Sequence, residues 1–133
     1  MVNMNGVKNN MREIKLRVWY EGLMYPYVEH TTYADGSQGV TLLGFGNYDM
    51  VCPHSDRPIV VMQYTGLKDK NGREIYEGDI LLGNYKKLPK EVKYINACFH
   101  VVNPNIRSYA LNRAISMIVI GNIYENSYLL ATK

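Results

Sequence analysis

Segment 59–85 contains a strong signal for a β-hairpin. Residues 59–65 form a continuous β-branched and apolar run, typical of a central strand. Asn71-Gly72 follows, and this pair favours a type I′ turn, in which both central residues need positive φ. A second turn at 77–79 leads into another apolar strand at 80–82. The segment therefore predicts extended chain that reverses direction twice.

Strand patterns also precede this segment. Residues 12–20 alternate between apolar and polar side chains, which predicts a strand with Ile14, Leu16, Val18 and Tyr20 on one buried face. The next run, 23–28, contains Pro26, which cannot donate a hydrogen bond to a neighbouring strand. We therefore expect 23–28 to form an edge strand.

The second half of the chain continues the pattern. Residues 92–102 alternate and predict one strand, whose core face carries Ile95, Ala97, Phe99 and Val101. Residues 117–120 predict a buried strand that a turn or bulge closes. Residues 108–116 fit either a helix or a strand, and 126–133 fit one helical turn or a segment lying on a barrel. About seven short strands separated by turns indicate a mainly β protein, a small barrel or sandwich with at most one or two short helical segments.

Composition limits the class of protein. A length of 133 residues suits one domain, and 47% hydrophobic with 20% charged residues excludes general disorder. Residues 1–10 are polar and without period, so we expect a disordered tail before a single domain at 11–133. No apolar run is long enough to cross a bilayer, which predicts no membrane partner, and two cysteines suggest a reduced, intracellular chain.

Three blocks of the sequence carry a family resemblance. They are MREIKLRVWY at 11–20, MQYTGLKDKNGREIYEGDIL at 62–81 and IGNIYEN at 120–126. In this order they resemble the phage and prophage YopX-like family. The resemblance implies a small SH3-like β-barrel with long hairpins, encoded on a phage or prophage and acting in the bacterial host cytoplasm as a homo-oligomer. The resemblance does not imply any particular activity.

The residues that make these blocks recognisable have structural explanations. Glycines suit tight turns and bulges, Asp69 and Asp79 suit Asx-type turns, and tyrosines beside buried strands can direct their hydroxyls to the surface. The blocks are therefore interpreted as a folding signature. Its members are Tyr64, Gly66, Asp69, Asn71, Gly72, Tyr76, Gly78, Asp79, Gly121 and Asn122.

Two residue sets contain side chains of the types that bind metals. Glu74, Glu77 and Asp79 have the oxygen ligands of a metal-dependent nuclease, but they straddle a turn without an accompanying lysine or histidine, which favours solvated turn residues. Cys-x-His occurs twice, and the two pairs together could supply four zinc ligands or be ordinary reduced cysteines and histidines. The four residues are Cys52, His54, Cys98 and His100.

No other catalytic signature occurs. The chain has no nucleophile elbow and no phosphate-binding glycine loop with a following Lys-Ser or Lys-Thr. We therefore predict no enzyme activity, no catalytic or metal site and no cofactor.

A basic segment offers a contact for nucleic acid. Lysines bind phosphates without reading sequence, and tyrosines stack on exposed bases. The net charge of only +3 gives this interpretation modest support. The contact residues of this predicted 85–94 loop are Tyr85, Lys86, Lys87, Lys90, Lys93 and Tyr94.

Twelve tyrosines against two phenylalanines favour strands and partner-facing surfaces. The leading prediction is thus a non-enzymatic phage accessory protein that acts as an oligomeric protein-interaction module, with a host protein as a further partner. The alternative is a nucleic-acid-binding small barrel that uses the 85–94 loop.

Overall fold

The computed structural model describes six ranges of the chain. They are residues 13–32, 34–36, 38–43, 49–51, 59–83 and 87–131. The predicted tail at 1–10 lies outside them.

The described residues form strands and two short 3₁₀ helices. In chain order the elements are β1 (Leu16–Tyr20), β2 (Leu23–Tyr25), β3 (Tyr27–Thr32), β4 (Gln38–Leu43), β5 (Asp49–Val51), β6 (Val60–Lys68), β7 (Glu74–Tyr76), β8 (Asp79–Leu82), β9 (Lys90–Ile95), β10 (Cys98–Asn103), β11 (Ile106–Ala110), a 3₁₀ helix at Leu111–Ser116, β12 (Ile118–Asn122) and a 3₁₀ helix at Ser127–Ala131.

The strands pair antiparallel in three sheets. One sheet has the order β2-β1-β6-β7, a second has β11-β10-β9-β8-β12, and a third has β3-β4-β5. The predicted mainly β fold of a small barrel type with short helical segments is confirmed. The single strand predicted over 23–28 is wrong: the segment is divided at Pro26 into β2 and β3, and β3 belongs to another sheet. β2 nevertheless lies at the edge of its sheet, as expected from the proline. No helix in the described part of the chain is long and apolar enough to cross a bilayer.

The main core joins the five-stranded sheet to β7 and the first 3₁₀ helix. Most of its buried side chains come from strands, and β8 is buried on both faces. The buried side chains of this core are Ile75, Leu81, Val92, Val101, Leu111, Met117 and Val119.

The hairpin predicted at Asn71-Gly72 is present, but its turn type was predicted wrongly. Only Gly72 of the pair has positive φ, at 86°. The Gly72 N–H donates to the Asp69 carbonyl at 3.0 Å, and the Asp69 N–H donates to the Arg73 carbonyl at 2.8 Å. This is a type I turn closed by a left-handed glycine, a three-residue loop in place of the two-residue type I′ loop.

The single strand predicted over 92–102 is also wrong. The chain reverses at Asn96 and Ala97, which both have positive φ (50° and 61°), and β9 pairs with β10 from Ile95 and Cys98 onward. These two residues form the type I′ turn that was expected elsewhere. Ala97 consequently lies at the exposed tip of a hairpin and not on the core face.

Two further details differ from the sequence pattern. The apolar run at 59–65 is central by position, but only one of its faces is enclosed, and Val61 is 44% exposed. The ambiguous segment 108–116 divides into the end of β11 and a 3₁₀ helix. Within this segment, residues 108–110 are strand and residues 111–116 are helix.

Candidate functional site

A buried ion pair organises one face of the four-stranded sheet. Arg17 on β1 donates from Nη2 to Asp79 Oδ1 at 2.7 Å and to the Glu77 carbonyl at 3.2 Å. Asp79 is 1% exposed, and its Oδ2 accepts the Tyr76 N–H at 2.8 Å. Burial raises the pKa of the Asp79 carboxyl, against the opposing charge of Arg17. The Arg17 Nε is buried and has no hydrogen-bond partner among the described residues.

A second pair, Lys15 with Glu74, lies beside the first. The Lys15 Nζ is 2.8 Å from Glu74 Oε2 and 3.2 Å from Glu13 Oε1, and these hydrogen bonds raise the pKa of Lys15. Two tyrosine rings stand over the cations: Tyr64 has its centroid 5.6 Å from Lys15 Nζ, and Tyr76 has its centroid 4.8 Å from Arg17 Cζ. We name this surface the charged–aromatic face; it comprises Lys15, Arg17, Tyr64, Glu74, Tyr76 and Asp79.

The sequence did not predict the role of Arg17. Period-two alternation placed it on the polar face of β1, yet the residue is buried. The relevant signal is Asp79, a carboxylate directly before the apolar strand residues 80–82, since a buried acid needs a cation nearby. Nothing in the local pattern shows that the cation lies 62 residues earlier.

The opposite face of the same sheet is apolar. β1 pairs Val18 with Val61 and with Tyr25, and Tyr20 with Leu23, so these side chains share one face. Val18 is fully buried against Tyr20, Tyr25 and Ile59. Three large side chains nevertheless remain exposed: Ile14 (73%), which precedes β1 in the same alternation, Leu23 (51%) and Val61 (44%). We name this surface the apolar face; it comprises Ile14, Val18, Tyr20, Leu23, Tyr25, Ile59 and Val61.

The remaining signature residues hold turns together. The Asp69 carboxylate accepts backbone N–H groups from Asn71 and Arg73, the bonding typical of an Asx-type turn, and also from the distant Val119. Gly66, Gly72 and Gly78 have positive φ. Gly78 is also packed so that a Cβ would lie 3.3 Å from Met62 Sδ.

Asn122 performs a similar role after β12. Its Oδ1 accepts the N–H groups of Tyr124 and Glu125, and its Nδ2 donates to Glu125 Oε2 at 2.7 Å. Gly121 lies at a register irregularity of β12, where a Cβ would be 2.5 Å from Asn126 Oδ1. This position therefore excludes a side chain.

The predicted 85–94 loop is interrupted by a buried lysine at the start of β9. Tyr85 and Lys86 lie outside the described residues. Lys87 is exposed, but Lys90 begins β9, is 3% exposed and donates to the Leu88 carbonyl at 2.9 Å. Burial lowers the pKa of Lys90. The prediction of a loop through 94 is therefore wrong from Lys90 onward.

Lys93 and Tyr94 are consecutive residues of β9, so their side chains point to opposite faces of the hairpin. Lys93 lies opposite His100, with Glu91 at 3.9 Å, while Tyr94 contacts Phe99 edge-on with ring centroids 5.0 Å apart. A single strand of nucleic acid could not contact both side chains on one face.

The structure describes five of the seven residues in the two sets whose types could bind a metal. Cys98 and His100 share a face of β10, as expected from alternation, but Cys52 and His54 lie outside the described residues. Glu74 and Asp79 each bind a cationic side chain, and Glu77 Oε1 accepts the Gln63 N–H at 3.1 Å. The interpretation of the acidic trio as solvated turn residues is thus wrong for Asp79, which is buried. The described part of the chain contains no group of three potential metal ligands.

Comparisons with known proteins agree with the sequence blocks. A family model described as YopX protein matches residues 15–131. Protein EF1440 from Enterococcus faecalis has a similar crystal structure, with 28% identity and a TM-score of 0.66 over 90% of this chain and 99% of that one. Protein yopX from Bacillus subtilis has the same fold at 22% identity, with a TM-score of 0.62 over 90% of this chain and 98% of that one. No curated protein matches the chain.

Proposed function

Because the chain belongs to the YopX protein family, we propose that it is a phage- or prophage-encoded, non-enzymatic accessory protein that acts in the bacterial host cytoplasm as an oligomeric protein-interaction module. The apolar face is the observation that supports this proposal. It directs Ile14, Leu23 and Val61 into solvent around a closed apolar centre. An exposed group of this kind is typical of a surface that another protein covers.

The chemistry around these three side chains supports the same conclusion. Tyr20 and Tyr25 are half-buried beside Val18. Tyrosine is enriched in interface cores, because its ring contributes apolar contact area and its hydroxyl still finds a polar partner at the rim. β2 adds an edge strand next to this face, and an edge strand can pair with another chain. The proposed partner is a second copy of the chain, with a host protein as a further one.

Size-exclusion chromatography coupled to light scattering tests the proposal. At micromolar concentration we expect a mass above that of one chain. Val61→Lys and, separately, Leu23→Lys place a charge on the apolar face and should shift the mass toward the monomer, because burying an unpaired charge opposes association. Tyr128→Lys is the matched control, since Tyr128 is 67% exposed but lies in the last 3₁₀ helix, away from this face.

Two results would overturn the proposal. One is a monomer of the unsubstituted chain across the concentration range. The other is an equal response of Val61→Lys, Leu23→Lys and Tyr128→Lys, which would remove the connection to the apolar face. Circular dichroism of each variant identifies any loss of fold, and two independent substitutions keep the test open if one variant unfolds.

The alternative function, nucleic-acid binding, receives less support because Lys90, in the middle of the predicted contact segment, is buried. Titration of short single-stranded DNA and RNA at two salt concentrations separates the two functions. We expect no salt-dependent binding. Affinity that falls with salt and with Lys87→Ala plus Lys93→Ala would favour the alternative.

A further inference from the structure

A surface pocket of about 310 Å³ lies on the charged–aromatic face. Arg17 of β1, Met24 of β2 and Pro26 form one side, and Arg73, Glu74 and Tyr76 form the other. Two arginines from segments far apart in the sequence therefore border one cavity, together with apolar and aromatic wall atoms. This composition is typical of a site that binds a small polar group on an apolar stem.

The side chains that line the pocket include two cations and one anion. Arg17 is paired with Asp79 at 2.7 Å, and Glu74 is paired with Lys15 at 2.8 Å. Arg73 is exposed, and its positive charge contributes to lowering the pKa of the Asp69 carboxyl. Arg73 is therefore the lining cation most accessible to a negatively charged group.

Arg17 lines the pocket with a side chain that is 10% exposed. Its Nε is buried and has no acceptor in the described part of the chain, so the Nε itself is not open to a ligand. The guanidinium carbon lies 4.8 Å from the centroid of the Tyr76 ring. A planar guanidinium held in this way is suited to a planar oxyanion that it contacts along one edge.

We propose that this pocket binds a carboxylate carried on a short aliphatic stem, as in an acidic side chain, with the exposed Arg73 as its main partner and the pocket-lining side chain of Arg17 as a second one. The stem lies against Met24 and Pro26. A carboxylate fits better than a phosphate, because Glu74 and Asp79 are close by and would repel a doubly charged group more strongly than a singly charged one. This site is on the opposite face of the sheet from the proposed interface and does not depend on it.

Nuclear magnetic resonance of protein with isotope-labelled arginine tests the proposal through the Nε–H resonances. The probe is N-acetylglutamate α-methylamide, which carries one carboxylate, and the corresponding glutamine compound is its neutral control. We expect saturable shifts at Arg17 and Arg73 with the acid only. Arg73→Gln should weaken binding about tenfold, the typical effect of removing a hydrogen bond to a charged group.

Arg107→Gln is the matched control variant, since Arg107 is an exposed arginine on β11. This substitution should leave the affinity unchanged. Equal responses of Arg17, Arg73 and Arg107 to the acid would overturn the proposal, as would equal binding of the neutral amide. Binding of inorganic phosphate as tight as that of the acid would overturn the assignment to a carboxylate. Arg73→Gln and Arg107→Gln should both preserve the fold, because the side chains of Arg73 and Arg107 are exposed.

Discussion

The Asp69 carboxylate connects the 69–72 turn to a distant strand. Its Oδ1 accepts N–H groups from Asn71 and Arg73, both at 2.8 Å, and its Oδ2 accepts the Val119 N–H at 2.9 Å, 50 residues away. Burial by itself would raise the pKa of Asp69, but the hydrogen bonds from Val119, Arg73 and Asn71 outweigh it and lower the pKa. We expect Asp69→Asn to be strongly destabilising.

The geometry gives the expected size of the effect. The asparagine oxygen can keep the two hydrogen bonds from the Asn71 and Arg73 N–H groups. The side-chain NH₂ group of the asparagine then faces the Val119 N–H, and this buried donor is left unpaired, which costs about 1–3 kcal/mol. The two remaining bonds lose their ionic character, which costs about 0.5 kcal/mol each. The free energy of unfolding should therefore fall by about 2–4 kcal/mol.

Urea denaturation at neutral pH measures this loss. Asn71→Ala is the matched control in the same turn, because the exposed Asn71 forms no side-chain hydrogen bond with described residues, and its effect should stay within about 0.5 kcal/mol. A loss for Asp69→Asn that is no larger than the loss for Asn71→Ala would refute the reasoning.

The pH dependence of the same variant provides a second check. Because the folded pKa of Asp69 is lowered, its ionisation stabilises the fold above the unfolded value of about 4, and this contribution is lost as the pH falls through the folded pKa. The stability difference between the unsubstituted protein and Asp69→Asn should shrink on acidification. A difference that stays constant with pH would contradict the lowered pKa.

Three further predictions concern other buried groups. Arg17→Met leaves Asp79 buried without its cation and should cost about 3–5 kcal/mol in thermal unfolding, less at low pH where Asp79 is protonated. Arg17→Met with Asp79→Leu should regain only part of this loss, because the Tyr76 N–H then has no acceptor; equal losses for the single and double variants would contradict this. Gly121→Ala forces the Asn126 side chain to move and should lower the free energy of unfolding by about 1–2 kcal/mol. In the double variant with Asn126→Ala, the two losses should be strongly non-additive; additive losses would contradict the close contact. Burial raises the pKa of Tyr64 above 10, so stability should be lost as the pH rises through the raised pKa. Ultraviolet titration should show a tyrosine ionisation at a pH above that of exposed tyrosines, and Tyr64→Phe should reduce its amplitude. An unchanged amplitude would contradict this assignment.

Local sequence patterns predicted much of the fold because they act over a few residues. The alternation at 12–20 identified β1, and Pro26 identified the edge position of β2, although the strand expected over 23–28 ends at Tyr25. Asp69 was assigned to a turn from its residue type, and its two bonds within four residues agree with that role. The failures were local too: Asn96-Ala97 lacks the glycine that marks most type I′ turns, so the β9–β10 hairpin was missed.

The sequence by itself determined the mainly β class, the main turns and the family, since periodicity, turn residues and motif blocks are properties of neighbouring residues. The tertiary structure decided which distant groups meet: Arg17 with Asp79 across 62 residues, and Asp69 with Val119 across 50. It also buried Lys90 and separated Lys93 from Tyr94. The physical reason is that burial and charge pairing depend on how strands pack in space, and one strand's pattern does not specify what lies against it.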